Sequence, residues 1–129
     1  MAKTIISTPE VAKPPALFSM ATKSGELVFV AGVVATDVDG EIVGENDIRV
    51  QTRQVIENIK AIVTAAGGSL SDITKTTVYI TDFANYAGMN EVYLEYFANE
   101  PPARATVRVD LFSDRLLVEI DAIAVVSSS

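Results

Sequence analysis

The chain has 129 residues, 49% of them hydrophobic, with 10 basic and 17 acidic side chains and a net charge of −7. That length and composition predict a single packed domain over residues 1–129 rather than a disordered chain. The negative charge opposes binding to nucleic-acid phosphates, and the absence of cysteine and histidine excludes disulfides, Cys/His zinc sites, thiol nucleophiles and a Ser-His-Asp triad.

Proton transfer is therefore left to carboxylates, tyrosine, lysine or water. No stretch reaches the ~18 apolar residues of a membrane span. Met1-Ala2-Lys3 has no long apolar run behind it, so no signal peptide is expected. The expected location is the cytoplasm.

Lys3–Ile6 reads as a short strand, and Pro9, Pro14 and Pro15 then break regular structure. Leu17–Thr22 reads as a second strand, ended by the turn signal Ser24-Gly25. Leu27–Ala31 is a continuous apolar run, which predicts a strand buried on both faces. Gly32 follows it and permits a close approach to the backbone. Asp39-Gly40, between Val33-Val34 and Ile42-Val43, is a hairpin signal.

From Val50 to Ala66 the period becomes helical. Val55, Ile59, Ile62 and Ala66 form one face, and Gln51, Arg53, Glu57 and Lys60 fall largely elsewhere. Asp47 is the expected N-cap, and Gly67-Gly68 the left-handed stop. Ile73–Thr81 is β-branched and alternates, as a strand does. A second helix is expected over Asn85–Ala98, with Tyr86, Met89, Tyr93 and Tyr96/Phe97 on its apolar face and Asn90 at the margin.

After Pro101-Pro102, the residues Ala105, Val107, Val109 and Leu111 alternate with Thr106, Arg108 and Asp110. The expectation is a strand with one apolar face and with Arg104, Thr106 and Arg108 on the other. Leu116, Val118, Ile120, Ala122 and Ala124 mark a last strand, whose opposite face holds Leu117, Glu119, Asp121 and Ile123. The order β-β-β-α-β-α-β-β predicts an α+β domain, a mixed sheet with two helices on one face. The uncovered face predicts association with further copies.

Two side chains stand out for chemistry. Arg104 offers a planar fork suited to a carboxylate, and Glu119, among apolar neighbours, is a carboxyl whose pKa partial burial would raise. Residue types alone leave two readings open: a structural ion pair, or the working ends of a small-molecule site. Thr106 shares the side of Arg104 and offers a hydroxyl, Asn90 offers an amide, and Phe18 lies near the proline segment.

Several motifs resemble the RidA (YjgF/L-PSP) family. They are Pro102-Ala103-Arg104-Ala105, Val118-Glu119-Ile120 followed by Ala122-Ile123-Ala124, Val30-Ala31-Gly32, Gln51-Thr52-Arg53, Ala65-Ala66-Gly67-Gly68, Asp72–Val78 and Asn90–Tyr93. The match runs from about Phe18 to Val125, and the segment from Ile80 to Arg104 is most similar to the RutC branch. The resemblance implies a chorismate mutase-like fold assembled as a homotrimer, with sites in the clefts between subunits. It implies hydrolysis of a reactive enamine or imine to a carbonyl compound and ammonia, with no metal or organic cofactor. The substrates so implied are of the 2-aminoacrylate/2-iminopropionate type, or 3-aminoacrylate. By the same resemblance Arg104 anchors the substrate carboxylate and Glu119 positions the attacking water. Phe18, Ala31, Gly32, Asn90 and Thr106 line the pocket.

The sequence departs from the family pattern at Phe18, where tyrosine is frequent, and at Thr106, where cysteine is frequent. The loss of a phenol at 18 motivates an alternative, a ligand-sensing or chaperone-like protein without efficient turnover. Further rivals within the resemblance are a 2-aminomuconate-type deaminase and a ribonuclease. The acidic charge and missing histidine oppose the last.

Overall fold

Strands β1 (Thr4–Ile6), β2 (Ala21–Ser24) and β3 (Leu27–Val34) are followed by helix α1 (Ile48–Ala65), strand β4 (Ile73–Ile80), helix α2 (Tyr86–Phe97), and strands β5 (Ala103–Arg108) and β6 (Val118–Val125). The computed structural model describes residues 3–127. The expected order of elements is the observed one. Asp47 caps α1 as expected, its side chain accepting from the amides of Arg49 and Val50, and Gly67 supplies the left-handed stop at φ +93°.

The six strands form one sheet in the order β1-β2-β3-β6-β4-β5. β6 runs antiparallel to both neighbours, β3 and β4. β4 and β5 are parallel, with α2 as their crossover. This is the chorismate mutase-like, mixed α+β sheet with both helices on one face. Its core joins Val28, Val30, Val78, Ile80, Val118 and Ile120 of the sheet to Val55, Ile59, Ile62, Met89, Tyr93 and Phe97 of the helices, all buried. Among the described residues no helix is long and apolar enough to cross a membrane.

The sheet's other face is open. Ile5, Leu27, Phe29, Val107 and Val125 lie on it, each between 39% and 55% exposed. β3 is therefore buried on one face only, not on both. Its apolar run serves the core with Val28 and Val30 and leaves Leu27 and Phe29 outside. β2 begins at Ala21 rather than Leu17, because pairing with β3 starts where Ala21 meets Val30. Leu17 and Phe18 precede it in a turn and are exposed.

One further expectation is reversed, and one point the sequence left open, the facing of β5, is decided. Gln51 is not on the solvent side of α1 but fully buried. Its Nε2 donates to the carbonyls of Gly44 (3.2 Å) and Arg115 (2.9 Å), and its Oε1 accepts from the Leu117 amide (2.8 Å). A buried amide with its bonds made is stable there, and it ties the loop before β6 to the helix. In β5 the apolar parity, Ala105 and Val107, faces the open side, while Arg104 and Thr106 face α2. The tyrosines of α2 provide the polar lining that makes this possible.

Candidate active site

Arg104 enters β5 opposite Thr76 of β4, a residue buried on the helix side. Its guanidinium lies over the ring of Tyr93, 4.8 Å from the centroid, and 5.8 Å from that of Tyr86. Stacking on aromatic faces and hydrogen bonding at the edge of the plane are compatible for this group. Nη2 donates to the Tyr86 hydroxyl at 3.2 Å. The Tyr93 hydroxyl is engaged with Thr76 Oγ1 at 2.7 Å, and burial raises the pKa of that phenol. Among the described residues Arg104 has no carboxylate partner.

Thr106 and Asn90 stand beside this guanidinium. Arg104, Thr106, Tyr86 and Phe83 line one concavity, and Arg104, Asn90 and Tyr93 line another with Pro101 and Pro102. Thr106 Oγ1 and Asn90 Oδ1 are buried and have no hydrogen-bond partner among the described residues. Buried polar atoms are ordinarily paired, so such orphans mark places where a ligand or water belongs.

Glu119 lies in a different place. Its register partners are Val34 on β3 and Tyr79 on β4. Tyr79 is three residues beyond Thr76, so it projects from the opposite face of β4. Glu119 is thus on the open face, and Arg104 on the helix side. Within one chain the two are not an ion pair, and the structural pairing left open by the sequence is absent.

A bulge between Val30 and Val33 sets the surroundings of Glu119. The extra residue re-aims the strand and brings Gly32 under the carboxylate. A methyl at position 32 would overlap Glu119 Oε2 and lie 2.9 Å from its Cδ. The glycine is required for close approach, as expected from the sequence. Burial raises the Glu119 pKa, and the nearby Asp121 charge adds to the rise. Asp121 is itself held by the Tyr79 hydroxyl, which donates to Oδ2 at 2.8 Å. That bond and burial push the Tyr79 phenol up.

Phe18, Ala31 and Gly32 come together, lining a cavity of about 220 Å³ with Pro14, Pro15 and Met20. The seven expected site residues therefore form two groups: Phe18, Ala31, Gly32 and Glu119 around the β3 bulge, and Asn90, Arg104 and Thr106 at the β5 edge. Sequence reasoning missed Tyr86 and Tyr93 as site residues. Both were assigned to the apolar face of α2, and their hydroxyls at helical spacing, facing a strand that carries arginine, are the signal that would have found them. Among the described residues no group of three or more Asp or Glu side chains is arranged to hold a metal.

Residues 8–126 match the family model described as Endoribonuclease L-PSP. The chain belongs to this L-PSP (RidA/YjgF) family. It is 49% identical over 125 residues to a RutC family protein of Pyrococcus abyssi, covering 96% of this chain and 98% of that one. A RutC family protein of Pyrococcus horikoshii is 50% identical over 123 residues, covering 95% and 97%. Among solved structures, a Rid family protein of unknown function from Yersinia pestis has a TM-score of 0.91 at 38% identity, covering 97% of this chain and 100% of its own. The TdcF protein of E. coli, solved with bound serine, has a TM-score of 0.89 at 38% identity, covering 96% and 99%.

Proposed function

We propose that this L-PSP family chain is a deaminase. Its substrates are small carboxylate-bearing imines and enamines of the 2-iminopropionate/2-aminoacrylate type, or 3-aminoacrylate. The products are a carbonyl compound and ammonia. The observation that carries this reading is the Arg104 guanidinium, stacked and oriented by two tyrosines, flanked by two orphaned polar atoms and, among the described residues, unpaired with any carboxylate. A fixed cation without its anion is suited to bind one.

The chemistry needs little machinery. The enamine tautomerises to the imine by taking a proton at carbon and giving one up from nitrogen to water. A water oxygen then adds to the imine carbon, its proton passing to the Glu119 carboxylate, and the nitrogen takes up a proton to give a carbinolamine. The hydroxyl proton then passes to the nitrogen as the C–N bond breaks, releasing ammonia and the carbonyl. A carboxyl poised above its ordinary pKa both accepts the proton from water and returns it to nitrogen. Because Arg104 and Glu119 face opposite sides of one sheet, the proposed site joins the β5 edge of one copy to the bulge region of a neighbour, and the proposed assembly is a trimer. The serine bound by TdcF, a small molecule with a carboxylate, supports the substrate class.

The test is Arg104→Ala against 2-iminopropionate generated in situ by an amino-acid oxidase. Keto-acid and ammonia release should fall at least about a hundredfold, with oligomeric mass unchanged. Full activity in that variant would reject the reading. Binding of pyruvate by the wild type without any acceleration would favour a ligand-sensing protein instead. The family description favours one further reading, endoribonuclease. It predicts RNA cleavage that co-purifies with the chain and disappears in Glu119→Ala.

A further inference from the structure

Arg104 donates to the Tyr86 oxygen, so that oxygen acts as acceptor and its own hydrogen points elsewhere. Among the described residues no acceptor takes that hydrogen. The other phenol at the guanidinium, Tyr93, has its hydroxyl engaged with Thr76 in the core. Phe18 has no hydroxyl to offer. Tyr86 is 41% exposed and lines the concavity it shares with Phe83, Arg104 and Thr106. Its ring is fixed on two sides. Phe83 meets it edge-on, with centroids 6.4 Å apart at 77°, and the guanidinium carbon of Arg104 lies 5.8 Å from its centre.

We propose that Tyr86 is a second substrate-holding residue, its hydroxyl donating to the same carboxylate that Arg104 binds. The proposal rests on the reading of Arg104 as a carboxylate anchor. The guanidinium polarises the phenol through the bond it donates, and the phenol passes that polarisation on as a stronger donor. A carboxylate is then held by the free N–H groups of Arg104 and by the Tyr86 O–H together, which fixes its tilt as well as its position. The carboxylate keeps its charge from imine through carbinolamine to product. The Tyr86 bond is accordingly as strong in the ground state as in the transition state, and its loss belongs in binding.

The experiment uses pyruvate as the product-like probe and 2-iminopropionate, generated in situ, as substrate. Tyr86→Phe removes one oxygen and keeps the ring. It should weaken pyruvate binding by calorimetry roughly tenfold or more, and raise KM by a similar factor, so that KM carries the loss in kcat/KM. Tyr86→Leu, which removes the ring as well, should lose at least as much. Wild-type pyruvate affinity in Tyr86→Phe, with the wild type active, overturns the role of Tyr86 and leaves the deaminase reading standing. A fall in kcat with unchanged pyruvate affinity also overturns it, since that is the pattern of a proton donor. A wild type that neither binds pyruvate nor turns over imine removes both.

Discussion

Glu119 rests its carboxylate on the bare Cα of Gly32, with Asp121 two residues along the same face. The titratable groups on that face near it are Asp121 and Tyr79, and β3 contributes none. The folded carboxyl holds its proton to higher pH than the ordinary value of 4.5. The unfolded chain releases that proton first as pH rises. The stability contribution of the group is therefore complete below the ordinary pKa and is lost as pH climbs through the raised one. Glu119→Gln keeps the shape and removes the charge. Its melting temperature should exceed that of the wild type by a few degrees at neutral pH, and the gap should close as the buffer is taken down toward pH ~4. A gap that is constant with pH would mean that the buried charge is not its cause. The variant should also lose deaminase activity, so the group that costs stability is the one assigned to the water.

At the scale of elements, α1 is tied to the loop before β6 by the three hydrogen bonds of Gln51. Gln51→Leu fits the volume but leaves the Arg115 carbonyl and the Leu117 amide without the Gln51 bonds, while the Gly44 carbonyl keeps the Asp47 amide. Urea unfolding should show a loss of about 3 kcal/mol. A loss under ~1 kcal/mol would mean that water replaces the side chain. Gln51 stands four residues before Val55 on the stripe that continues through Ile59 and Ile62, so its burial was legible in spacing and was masked by its polarity. The order of elements was legible because each one carries its own period and its own stop, as with Asp47 and Gly67 around α1. The facing of β5 was not. Period two separates Arg104 and Thr106 from Ala105 and Val107, but only the partner surfaces decide which set turns inward. Here α2 brings tyrosines to one side, and the other side is open. The role of Gly32 was readable as a need for close approach. The identity of what approaches it required the pairing of β6 with β3, between segments some ninety residues apart, which no local pattern encodes.

For the whole molecule the open sheet face decides how the chain behaves. Ile5, Thr22, Phe29, Ile123 and Lys75 form one continuous cross-strand row on it. Apolar side chains in such a row are the pattern of a covered surface. The wild type should run by light scattering as an oligomer, and Phe29→Asp should shift toward the single-chain mass of 13.8 kDa. The shifted species should be inactive, because one chain cannot present Arg104 and Glu119 to the same small molecule. A wild type that is monomeric and fully active would remove both the assembly and the shared site.

β6 is the last strand in chain order, yet it occupies the middle of the sheet, hydrogen-bonded to β3 on one side and β4 on the other. During synthesis β3 and β4 emerge long before the strand that joins them, and each has an unsatisfied edge until β6 arrives. The hairpin of β2 and β3 and the crossover from β4 through α2 to β5 can form as separate pieces. They become one sheet only when the strand carrying Glu119 has left the ribosome. Folding is thereby delayed to a late, long-range step, with high contact order and a period of exposed edges that favours aggregation or chaperone capture. The strand that brings the proposed water-positioning carboxylate is also the one that closes the fold, so a nascent chain with an unfinished sheet has no site.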